Sequence, residues 1–217
     1  MMKTAIVLGA TGLIGRNLVA QLANQAEYSK VIAITRRRVE YDFENVSNEV
    51  VNFDCLDDFS NIFTGDVLFS CLGTTKKQAG SYEAQRIVDV DYQLKVAQLA
   101  AKNKVQHYLL VSSRGANSKS NNPYFQMKGE LEEQVIGLNF VRVSIFQPSL
   151  LLGERDHFRF GEAIGFYLMP VLKYLPLLKS YRPIEGGEVA EKMVQVSLSS
   201  ETGKELFKLD EVFPQVL

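Results

Sequence analysis

Short apolar runs rich in β-branched residues alternate along this chain with longer stretches in which apolar positions recur three and four apart. The runs fall at 4–8, 31–35, 50–53, 67–72, 108–112 and 141–146. Most carry no polar alternation, which suits strands covered on both faces in a parallel sheet. Between them, Leu13, Ile14, Leu18, Val19 and Leu22 share a helical face, as do Val90, Leu94, Ala97 and Ala101 within 88–103. This rhythm predicts an α/β fold, a Rossmann-type doubly wound parallel sheet. After about residue 150 the rhythm changes. An apolar segment at 164–178, interrupted by Pro170 and Pro176, precedes a helical pattern at 189–198 and a short strand at 206–209. The segment 153–205 is expected as a small substrate-side appendage on a single domain spanning 1–217.

The length of 217 residues fits one domain. Hydrophobic residues at 46% and charged residues at 23% exclude disorder, collagen and coiled coil. Lysine plus arginine number 24 against 25 acids, so no nucleic-acid partner is expected. Cys55 and Cys71 make neither a disulfide framework nor a metal-ligand pattern, so no metal is expected, and Cys71 reads as a packing thiol. The apolar run at 5–8 is too short for a signal-peptide core, and no stretch of about 20 apolar residues could span a membrane. A cytoplasmic location is the expectation.

Residues 9–15 read Gly-Ala-Thr-Gly-Leu-Ile-Gly, directly after the first strand and opening the first helix. Gly9, Gly12 and Gly15 supply a tight turn, a close approach of backbone to pyrophosphate, and close helix–strand packing. The helix N-terminus adds free N–H groups and positive partial charge for the phosphates. After the second strand, where an acid would hold the ribose 2′-hydroxyl of NAD, the chain has Arg36, Arg37 and Arg38. A guanidinium can fork onto a 2′-phosphate, so NADP(H) is the expected cofactor, held by Arg36 and Arg37, with Arg38 solvated. Asp54 either accepts from the adenine amino group or caps the helix that follows. The fourth run ends Leu72-Gly73-Thr74, where a glycine permits close approach to the ribose.

The fifth strand ends in Ser112-Ser113, and Tyr124 and Lys128 follow, four apart on one predicted helix face. An ammonium favours a neighbouring phenolate, and such a tyrosine exchanges a proton with a carbonyl or alcohol as hydride moves. A serine hydroxyl would hydrogen-bond the same substrate oxygen. His107 and His157 are isolated and are assigned no role. Arg155 and Arg159, four apart, either grip an anionic substrate or pair with Glu154 and Glu162 on the surface.

The glycine loop, the serine-ended strand and the Tyr-x-x-x-Lys pair resemble the atypical branch of the short-chain dehydrogenase/reductase superfamily. The strings CLGTTKKQAG (71–80), VDVDYQLKVAQLA (88–100) and HYLLVSSRGANSKSNNPYFQMKGELE (107–132) are similar to the oxidoreductase family named for interaction with the viral Tat protein. The resemblance covers about residues 4–155 and implies an NADPH-binding Rossmann fold. It puts the loop contacts on Thr11, Gly12, Leu13 and Ile14, the 2′-phosphate arginines on Arg36 and Arg37, and the strand-four contacts on Leu72 and Gly73. It puts the Tyr/Lys pair on Tyr124 and Lys128, and the serine on Ser113 or Ser112, with Ser113 preferred. Relatives often carry arginine before the proline after strand six; this chain has Gln147-Pro148. Two functions follow as expectations. One is an NADPH-dependent oxidoreductase acting on a small carbonyl or alcohol, with Ser113, Tyr124 and Lys128 catalytic. The other is an NADPH-binding regulator acting through a protein partner with little turnover. A homo-oligomer fits either.

Overall fold

The computed structural model describes residues 2–152 and 183–215. Seven parallel strands form one sheet in the order β3-β2-β1-β4-β5-β6-β9: β1 Lys3–Leu8, β2 Tyr28–Thr35, β3 Val46–Val50, β4 Val67–Ser70, β5 His107–Val111, β6 Arg142–Gln147 and β9 Gly203–Lys208. A separate two-strand ladder pairs β7 Leu151–Leu152 with β8 Ile184–Glu185. The sheet is Rossmann-like, as its strand runs predict.

Period-two side-chain alternation explains why those runs are apolar throughout. Ala5 and Val7 of β1 enter one core, with Val31 and Ala33 of β2, Phe69 of β4 and Phe146 of β6. Ile6 and Leu8 enter the other, with Ile32, Ile34, Leu68, Leu110 and Ile145. Helix α1 (Leu13–Ala23) covers the first face through Ile14, Leu18, Val19 and Leu22. Two helices cover the second, α4 (Tyr92–Lys102) and α5 (Pro123–Ile136), and the five-residue α3 (Tyr82–Arg86) comes before α4 in the chain. A π-helical turn, Ile87–Asp91, joins α3 to α4, and the one-turn α2 (Lys76–Ala79) precedes them.

The structure departs from the sequence expectations at two places, both strand boundaries. The third strand is Val46–Val50, not 50–53; Val51 and Phe53 are buried at the start of a 3-10 segment, Phe53–Ile62. The last strand begins at Gly203 and ends at Lys208, because Leu209 turns the chain with φ of 50°. Within 153–205, Gly186–Leu198 forms α6, which packs on α1 and contributes Val189, Ala190, Met193, Val194 and Val196 to the first core. The segment 164–178, Arg155, His157 and Arg159 lie outside the described residues. No helix among the described residues is long and apolar enough to cross a membrane.

Candidate active site

The strand order reverses between β1 and β4, so their carboxyl ends part to leave a crevice, the usual ligand position in such sheets. The phosphate loop, Arg36 and Arg37, Asp54, Leu72–Thr74 and Ser112–Ser113 all lie on this carboxyl edge, each following its strand.

Gly9 turns the chain with φ of 80°, and a Cβ there would lie 2.6 Å from the Leu72 nitrogen. A Cβ on Gly15 would lie 2.1 Å from the Gly9 carbonyl oxygen, so the helix starts in direct contact with the turn. Gly12 is different. Its space is bounded only by the Gly9 oxygen at 3.3 Å and the Cys71 oxygen at 4.0 Å. Gly12 caps α1 in extended conformation without a side-chain cap, and no acid occupies the first turn. The first N–H groups of α1 are therefore left for a ligand, and the open side of Gly12 fits a pyrophosphate. Thr11 and Gly12 are exposed, Leu13 is half-buried and Ile14 is buried in the core.

The arginine turn after β2 is pinned from below. Asn48 donates to Thr35 Oγ1 at 2.7 Å and accepts from the Val39 N–H at 2.8 Å, while Thr35 Oγ1 donates to the Arg37 carbonyl at 2.7 Å. Arg36, Arg37 and Arg38 are exposed, and none forms an ion pair among the described residues. Two guanidiniums on a braced turn fit a 2′-phosphate.

Asp54 is not the helix cap. Asn52 takes that place, accepting from the Asp54 N–H at 3.1 Å. The Asp54 carboxylate instead accepts from the Tyr92 hydroxyl of α4, and this bond pushes the Tyr92 phenol up to about 12. Tyr92 therefore stays a donor and leaves one Asp54 oxygen for another group.

Helix α5 starts at Pro123, with the Asn122 side chain accepting from the Tyr124 N–H at 3.0 Å. Tyr124 is half-buried, and among the described residues its hydroxyl has no hydrogen-bond partner. Lys128, one turn on, is buried. Its Nζ lies 3.4 Å from Asp89 Oδ2 and 3.9 Å from where a Cβ would stand on Gly73. Sequence reasoning missed Asp89, which is 1% exposed on the π-helical turn.

The loop carrying the serines is clamped to the same helix. A Cβ on Gly129 would lie 2.1 Å from the Ser118 nitrogen, so only glycine lets residues 117–118 cross α5 beside Lys128. The Asn117 N–H donates to the Phe125 carbonyl at 2.9 Å, and Ser118 donates to Glu133. The two serines differ. Ser112 is buried and donates to Glu132, which also accepts from Gln147 Nε2 at 2.9 Å. Gln147 thus spends its amide inside the protein, one residue before Pro148. Ser113 is half-exposed, with only a long 3.4 Å bond to the Arg114 carbonyl. Cys71, at the edge of the first core, is pushed up to about 12 by burial, so its thiol is inert packing.

Comparison with known proteins gives the family and the fold. A family model described as NAD(P)H-binding matches residues 9–139. Protein HTATIP2 of Rattus norvegicus is 43% identical over 164 residues, 74% of this chain and 67% of that protein. The mitochondrial protein FMP52 of Candida glabrata is 36% identical over 203 residues, 90% of this chain and 85% of its own length. The backbone is similar to the Bordetella bronchiseptica enzyme WbmH in complex with NAD+, with TM-score 0.72 and 14% identity over 96% of this chain and 76% of that one. A short-chain dehydrogenase/reductase superfamily protein from Agrobacterium tumefaciens with bound NAD gives TM-score 0.70 and 15% identity, over 95% and 77%.

Proposed function

Because this chain belongs to the NAD(P)H-binding family of atypical short-chain dehydrogenase/reductases, we infer that it is an NADPH-dependent oxidoreductase acting on a small carbonyl or alcohol. The observation that carries this reading is the Lys128 ammonium, buried beside Gly73 on the carboxyl edge, one helical turn from a tyrosine whose hydroxyl has no partner among the described residues. Bound NADP(H) would supply or accept the hydride.

The chain's own residues divide the remaining work. Gly12 and the first N–H groups of α1 receive the pyrophosphate, Arg36 and Arg37 receive the 2′-phosphate, and Asp54 accepts from the adenine amino group. Leu72, Gly73 and Thr74 would border the nicotinamide ribose, and Lys128 would donate to its hydroxyls. Tyr124 gives its hydroxyl proton to the carbonyl oxygen in reduction and takes it back in oxidation. Ser113, not Ser112, orients that oxygen, because the Ser112 hydroxyl is committed to Glu132.

Tyr124→Phe tests the assignment. In a panel of aldehydes and ketones followed by NADPH absorbance, the variant should lose about a thousandfold in kcat while binding NADPH within about twofold of the parent. Turnover that survives the substitution overturns the role of Tyr124.

A further inference from the structure

Gln85, Asp89 and Gln93 recur every four residues from α3 through the π-helical turn into α4, and all three are at most 2% exposed. Each faces the carboxyl end of β4. Gln85 Nε2 donates to the Thr74 carbonyl at 3.2 Å, and Asp89 Oδ1 accepts from the Thr74 N–H at 2.6 Å. Gln93 Oε1 accepts from Ser70 Oγ at 2.7 Å, while its Nε2 donates to the Asp89 carbonyl at 2.8 Å. Both backbone groups of Thr74 are therefore held by one buried polar ladder. The other oxygen of Asp89 faces Lys128 Nζ at 3.4 Å. A buried carboxylate without partners is costly, so this one is fixed by both contacts at once. The π turn supplies the register that aims it, and such turns recur at functional sites.

We propose that Asp89 is a positioning residue that locks Lys128 to the Gly73–Thr74 loop, so that lysine and loop meet the cofactor as one preorganised unit. The proposal rests on the function inferred above, because it assigns Lys128 and this loop to the cofactor ribose. Through Asp89, a change at Lys128 reaches the Thr74 backbone, which is bonded to a different oxygen of the same carboxylate.

The test is a double-mutant cycle of Asp89→Asn, Lys128→Met and the double variant in the full chain. Asparagine keeps an acceptor for the Thr74 N–H and removes the charge. By calorimetry, Asp89→Asn should weaken NADPH binding about tenfold, with less than about twofold further loss when added to Lys128→Met. A structural role separate from Lys128 would cost the same factor in both backgrounds and would overturn the proposal. A second readout needs no cofactor. The Thr74 amide resonance should move in Lys128→Met and stay put when that change is made on top of Asp89→Asn. A Thr74 amide indifferent to Lys128→Met overturns the link even if NADPH binds. Absence of NADPH binding in the parent chain would instead sink the proposed function, leaving the amide shift to decide the link.

Discussion

The two edges of the same sheet spend their charged groups in opposite ways. At the amino edge, Arg142 is 4% exposed and every donor group has a partner: Nε on Glu205 at 2.7 Å, Nη1 on the Val196 and Ser199 carbonyls, and Nη2 on Ser199 Oγ. Glu205 also accepts from Ser144 Oγ at 2.8 Å, and that hydroxyl lies 2.9 Å from His107 Nε2. Lys3 donates to the Ser197 carbonyl. At the carboxyl edge, Arg36 and Arg37 are exposed on a braced turn, Tyr124 has no hydroxyl partner among the described residues, and Gly12 is open. A closed network contributes to stability and leaves nothing to bind with. Groups that are held in place but not satisfied cost stability and are ready for a ligand. Arginine serves at both edges; the state of its hydrogen bonds separates scaffold from site.

Breaking the amino edge should therefore cost stability and spare cofactor binding. Arg142→Met strips Glu205 and Ser199 of their partner, and chemical denaturation should show a loss of about 3 kcal/mol. NADPH affinity should remain within about twofold of the parent; a large loss of affinity would erase the distinction between the edges. Gly129→Ala attacks the other edge through packing alone. The added methyl meets the backbone of residues 117–118, so a loss of about 2 kcal/mol is expected in the same measurement, together with a fall in turnover as the Ser113 loop lifts from α5.

The smallest effect at neutral pH concerns His107, which burial, then Arg142 and Lys3, push down from 6.5 to about 3. The folded form keeps this imidazole neutral while the unfolded chain protonates it near 6.5. Its contribution is thus fully present above that pH and is lost as pH falls towards 3, at up to about 1.4 kcal/mol per pH unit. Comparing parent with His107→Gln across pH 7 to 4 should show the shallower decline in the variant. Equal slopes would mean that the histidine is not buried neutral.

The edges also differ in how much the sequence reveals. The glycine loop, the arginine turn and the Tyr124/Lys128 pair stand out in the sequence because each is a local pattern, a few residues long, whose place after its strand follows from spacing. Five inner strands were legible because burial on both faces leaves long apolar runs. β3 was misplaced because it is an edge strand of half-buried residues, VSNEV, whose weak pattern was masked by Val51 and Phe53 beyond it. Asp89 was hidden because its partners come from Thr74 and Lys128, distant in sequence. The four-residue spacing of Gln85, Asp89 and Gln93 inside an apolar helical pattern was the available sign. Gly129 looks like a helix-weakening glycine until the loop that crosses it is seen. The sequence already favours Ser113; the bond that ties the Ser112 hydroxyl to Glu132 is a contact that spacing does not contain.

The central claim is that the carboxyl edge is a preformed NADPH site, and calorimetric titration of the full chain with NADPH and with NADH tests it most directly. The account predicts NADPH binding at least about tenfold tighter than NADH, with the preference lost in Arg36→Ala/Arg37→Ala as NADH affinity stays unchanged. Equal affinity for the two nucleotides, or binding of neither, would contradict it.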